Sequence, residues 1–108
     1  MAYDTKLAER IREGLGGIPF VEKRMFGGIG FLIHGNMACG VHKKDMIVRV
    51  NPERHEKLLR KPHAKPFDIT GKPMKGWVLV EAEGCKTARQ LEAWVKEGVE
   101  FASTLPPK

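Results

Sequence analysis

A chain of 108 residues supports one domain with one core and is too short for two. With 42% apolar and 30% charged residues it has the make-up of a soluble globular protein, which excludes a disordered chain, and no run approaches the ~18 apolar residues of a membrane span. The net charge of +6 is concentrated: residues 42–75 carry ten of the nineteen Lys/Arg and only four acids, while the remainder is neutral.

Asp4 is placed to cap a first helix, because its carboxylate can accept the free N–H groups of the first turn. Leu7, Ala8, Ile11 and Leu15 then recur at helical spacing until Gly16-Gly17 and Pro19 stop the run. From Val21 to Val50 the period changes to that of strands. "GFLI" and "MACGV" flank His34-Gly35-Asn36-Met37, where Gly35-Asn36 signals a two-residue hairpin turn, and "MIVRV" follows the polar turn Lys43-Lys44-Asp45. These three segments form an antiparallel meander.

Asn51-Pro52-Glu53 spells a helix start: a capping side chain, a proline at N1 and an acid at the positive dipole end. That helix is short, with Leu58 and Leu59 as its large apolar residues, and ends before Pro62. A turn-rich stretch follows, with Phe67-Asp68-Ile69 as a short strand and "KGWVLVE" as a well-defined one. Thr87 and Gln90 fit a capping box, after which Leu91, Trp94, Val95, Gly98 and Ala102 form one apolar stripe on a helix running to about Ser103. The order is α-β-β-β-α-β-β-α. It predicts a two-layer α+β domain, one antiparallel sheet with helices on one face.

Four glycines between Arg24 and Gly35 invite a nucleotide-binding reading. A dinucleotide fingerprint needs G-x-G-x-x-G between a strand and a helix, so that phosphate meets a helix N-terminus. Position 33 is isoleucine, the following element is a strand, and no Gly-Lys-Ser/Thr occurs. The glycines therefore serve the sheet, either as a Gly-Gly turn joining two strands or as a bulge at 27–28 in one long strand.

No catalytic, metal or cofactor site is expected. His34, Cys39 and His42 do not converge, because Cys39 and His42 point to opposite strand faces. Ser103, the single serine, lies near the C-terminus. Cys39 sits in an apolar strand that keeps it inert, whereas Cys85 precedes a helix whose dipole can lower a thiol pKa. Glu81 and Glu83 share a strand face and are read as solvated. Trp77 and Trp94 are core residues. The charged opening lacks the apolar region of a signal peptide, so a cytoplasmic location and reduced thiols are expected.

The cations give a candidate polyanion contact: Lys43, Lys44, Arg54, Lys57, Arg60, Lys61 and Lys65, with positions 54, 57 and 61 spaced to share a helical face. The competing account is a solvated surface whose charges complement a helix C-terminus.

"RMFGGIGFLIHGNMACGV", "MIVRV", "KPFDITGKPMKGWVLVE" and the Trp-bearing final helix together resemble the TfoX N-terminal domain family, from about Leu7 to Phe101. The residues carrying the resemblance are Arg24, Met25, Phe26, Gly27, Gly28, Gly30 and Gly35, supported by Lys75, Gly76 and Trp77. The resemblance implies a secretion-chaperone-like two-layer fold, one bent strand through Gly27-Gly28, and no established catalytic residues. Two-domain members are linked to regulating competence for DNA uptake. This chain, read as one domain over 1–108, is expected to be a stand-alone, non-enzymatic interaction module. Its expected partner is a protein, with nucleic acid as the alternative, a small enzyme of unknown reaction as a distant third reading, and a homodimer through edge strands as a further expectation.

Overall fold

The computed structural model describes residues 3–25, 27–67 and 75–107, Met25 through its backbone alone. The helices are α1 (Thr5–Leu15), α2 (His55–Leu59) and α3 (Ala88–Thr104), and the strands are β1 (Val21–Met25), β2 (Gly28–Ile33), β3 (Asn36–His42), β4 (Asp45–Arg49), β5 (Ala64–Pro66) and β6 (Trp77–Val80). All six strands pair antiparallel in the order β1-β2-β3-β4-β6-β5. The predicted succession of helix, strands, helix, strands, helix is the one observed.

Local signals act where the sequence places them. Asp4 accepts from the N–H groups of Lys6 and Leu7, and Thr87 and Gln90 close the capping box reciprocally. Asn51 accepts from Glu53 N–H at 2.9 Å and opens a 3-10 turn, Pro52–Arg54, that leads into α2. The buried residues of α1 are Leu7, Ala8, Ile11 and Leu15, and those of α3 are Leu91, Trp94, Val95, Gly98 and Ala102, the two stripes read from the sequence.

The sheet register explains the core. Ile29, Val41, Met46, Val80 and Ala64 lie in one row across β2, β3, β4, β6 and β5, and Phe31, Cys39, Val48, Val78 and Pro66 form the next such row. These rows, apart from the exposed Pro66 at their end, build the main core with α1, α3 and Leu58 of α2. Alternate residues face the other way. There Met37, Ile47 and Phe67 form a second buried cluster with Leu32, Trp77 and Leu79 packed against it. Both faces of the central strands are therefore apolar, which is why β3 is buried along nearly its whole length.

Four details depart from the sequence reading. Met25 pairs with Gly28, so the chain reverses between them with Gly27 at φ 74°. The implied bent strand is thus a hairpin, and four strands precede α2. At the next turn Ile33 pairs with Asn36, which makes His34 and Gly35 the loop residues, both at positive φ as a type I′ turn requires. Asn36 instead belongs to β3, buried, with Nδ2 donating to the Pro106 carbonyl at 2.9 Å. The short strand is Ala64–Pro66, one step before the predicted one. Phe67 folds into the second cluster, while Asp68 and Ile69 lie outside the described residues. Finally, β6 stops at Val80, so Glu81 and Glu83 share no strand face. Glu81 precedes, and Glu83 lies within, the 3-10 turn Ala82–Cys85.

Candidate functional site

The basic residues do not assemble into one helical face. The α2 helix is only five residues long, Arg54 belongs to the 3-10 turn before it, and Lys61 lies beyond it. Three of the cations are engaged within the fold. Arg54 Nη2 lies 2.7 Å from Glu97 Oε1 on α3, Lys65 Nζ lies 3.6 Å from Glu81 Oε2, and Lys61 Nζ stands 4.8 Å from the centre of the Trp94 ring. Lys43 and Lys44 form the β3–β4 turn, apart from the α2 region in sequence and on a different loop. Among the described residues no ion pair holds Lys43, Lys44, Lys57 or Arg60, and all four are exposed.

The thiols are sequestered. Burial pushes the Cys39 pKa up to about 12 and that of Cys85 up to about 11. For Cys85 this corrects the expectation of dipole activation: its Sγ lies 3.7 Å from the carbonyls of Glu81 and Ala82, inside the turn rather than at a helix N-terminus. Among the described residues no group of three His, Cys, Asp or Glu could hold a metal ion. No helix is long and apolar enough to cross a membrane. His55, which the sequence reading passed over, is buried and structural. Its Nε2 faces the Trp77 carbonyl at 3.1 Å, and since a carbonyl only accepts, that nitrogen is the donor.

The family-motif residues fall into two places. Arg24, Met25, Gly27, Gly28, Gly30 and Gly35 define the two leading hairpins, with Phe26 outside the described residues. Lys75, Gly76 and Trp77 lead into β6, where the Gly76 carbonyl accepts from Val50 N–H at 2.8 Å. Trp77 packs at 6.1 Å from Phe67, with the Arg49 guanidinium 5.2 Å above its ring.

Among the described residues, the leading hairpin presents the longer of the two sheet edges. Residues 21–24 are all exposed, Val21 at 66%, and the β1–β2 register runs without a bulge. Glu22 accepts two hydrogen bonds from Arg12 of α1, at 2.6 and 2.8 Å, which ties the strand to the helix layer and holds the Glu22 carboxyl below its usual range. The opposite edge, β5, is three residues long and contains Pro66, features that discourage further pairing.

A six-stranded antiparallel sheet with helices packed on one face places the chain in the two-layer α+β class. The model of the TfoX N-terminal domain matches residues 14–102, and the chain belongs to that family. No curated protein and no solved structure matches it significantly.

Proposed function

We propose that this TfoX N-terminal-type domain is a non-catalytic interaction module that acts in regulation, of which control of competence or transcription is the form the family suggests, and that it meets its partner through the β1 edge. The observation that carries this reading is the asymmetry of the two sheet edges. β5 is short and proline-bearing, whereas β1 is a five-residue strand whose outer side is open beside the exposed Val21. Support also comes from the polar side chains: Asp4, Asn51, Thr87, Gln90, Asn36 and His55 are spent on caps and backbone bonds. The test is capture from native lysate with wild-type bait and with Arg24→Pro bait. Proteins held by the first and lost by the second support the reading. Identical capture by both overturns it.

A second reading, direct binding of nucleic acid, is favoured by Lys43, Lys44, Lys57 and Arg60, exposed cations of the basic segment that no ion pair holds among the described residues. Titration of labelled duplex and single strand at about 50 mM salt decides it, because electrostatic binding is strongest there. A steep fall of affinity with salt, removed by Lys57→Glu with Arg60→Glu, supports it. No binding at low salt overturns it.

A further inference from the structure

We propose that the β1 edge pairs with the β1 edge of a second copy of this chain, antiparallel and centred on Lys23. This rests on β1 being a contact surface and names its occupant. The argument begins with the phase of the hairpin. Met25 and Gly28 are joined through two residues, so they must be a hydrogen-bonded pair, and such pairs alternate along an antiparallel ladder. Met25, Lys23 and Val21 therefore turn their backbone groups inward to β2. Glu22 and Arg24 turn theirs outward, where among the described residues no backbone hydrogen bond meets them.

Symmetric pairing of two such edges can join the outward groups in three ways. Centring on Glu22 sets Glu against Glu, and centring on Arg24 sets Arg against Arg. Centring on Lys23 sets Glu22 of each copy opposite Arg24 of the other, as two hydrogen-bonded pairs with opposite charges. Only this register uses both outward pairs. It also keeps like faces together, since Glu22 and Arg24 both lie on the helix side of the sheet, where Arg12 already bonds Glu22. The two-fold axis then stands perpendicular to one continuous sheet, with α1 and α3 of both copies on the same side. Val21 is 66% exposed and Ile18 37% exposed, and these are the exposed large apolar side chains among the described residues. Val21 lies within the paired strand, so pairing covers part of the most exposed large apolar side chain among the described residues. Lys23 meets its own counterpart at the axis, a like-charge contact that weakens the dimer without changing its register. Five-residue strands bury less than the ~1,200 Å² of a standard interface, so the association is weak and concentration-dependent.

Sedimentation of the 12.1 kDa chain across a micromolar-to-millimolar series reads the mass directly. A doubling of mass with concentration is expected, and Lys23→Thr tightens the dimer several-fold by removing the repulsion. Arg24→Pro deletes an outward N–H that β2 does not use and leaves the chain monomeric. Glu22→Arg and Arg24→Glu each set like charges opposite one another and stay monomeric alone. Mixed, the two variants present opposite charges at both hydrogen-bonded pairs and form a heterodimer, which shows that both are folded. A monomer throughout the wild-type series, or failure of the mixed pair to associate, overturns the second copy as occupant. Lysate capture sensitive to Arg24→Pro by a monomeric protein would still leave the edge itself as a contact surface for another protein.

Discussion

Gly98 on α3 lies directly against the Ala38 carbonyl of β3, so close that a Cβ at position 98 would run into that backbone oxygen. Ala38 is the residue set apart by the register shift between β2 and β3, and α3 settles onto the sheet at that point. Helix propensity alone favours Gly98→Ala by ~1 kcal/mol, but neither backbone can yield cheaply, and overpacking costs ~1–3 kcal/mol or more. The expected result is a net loss of about 2 kcal/mol and a Tm lower by roughly 10 °C. Gly14→Ala is the control: its Cβ would sit 3.6 Å from Val95 Cγ2, an ordinary contact. There propensity wins, and calorimetry should show a gain of about 0.5–1 kcal/mol.

The β2–β3 turn gives a second pair of opposite outcomes. His34 and Gly35 adopt φ 52° and 84°. Asparagine tolerates the left-handed region better than histidine, so His34→Asn raises stability by about 0.5 kcal/mol. Gly35→Ala places a Cβ in that region and costs about 1–2 kcal/mol. Urea titration of the two variants reads both signs, and equal midpoints would contradict the turn assignment.

Asn36 joins this turn to the end of the chain through the Pro106 carbonyl. Asn36→Ala should cost about 1–2 kcal/mol, and Asn36→Asp more, since a buried carboxylate would face a carbonyl with no proton to share. Removing residues 105–108 deletes the acceptor. If the bond is real, the cost of Asn36→Ala falls on that background, as a double-mutant cycle measures.

The thiols set a pH dependence. Both are raised from an ordinary 9.0, to about 12 for Cys39 and about 11 for Cys85, because burial disfavours the thiolate. The unfolded chain loses these protons first. Their contribution to stability is thus complete below about pH 9 and declines as pH rises from there towards 11–12. Alkylation at pH 8 should leave both thiols intact in the folded protein and modify both in denaturant. Rapid modification of Cys85 without denaturant would contradict its placement inside the turn.

Most of the helical layer was legible before any coordinates. Its signals are short-range: a cap such as Asp4 or Thr87 acts over three residues, and the stripes on α1 and α3 follow from the helical period. The hairpins were legible as hairpins, but their register was not. Gly35-Asn36 and His34-Gly35 are both acceptable turn pairs locally, and the choice fell to Asn36, whose side chain finds its acceptor seventy residues away at Pro106. Gly27-Gly28 posed the same ambiguity between bend and turn, resolved by the pairing of Val21 through Met25 with β2.

The candidate sites divide along the same line. Sequence by itself determined the composition, the helix stripes, the succession helix, strands, helix, strands, helix and the family to which the chain belongs, because each is carried by local pattern or by motif. Tertiary structure alone decided what the charged and reactive groups do. The cations that looked like one cluster were parted by their partners, Glu97, Glu81 and the Trp94 ring, and Cys85 was closed inside a turn. It likewise decided which edge stays open and which of its backbone groups face outward. Those properties depend on neighbours distant in sequence, and electrostatics and hydrogen bonding act through space rather than along the chain.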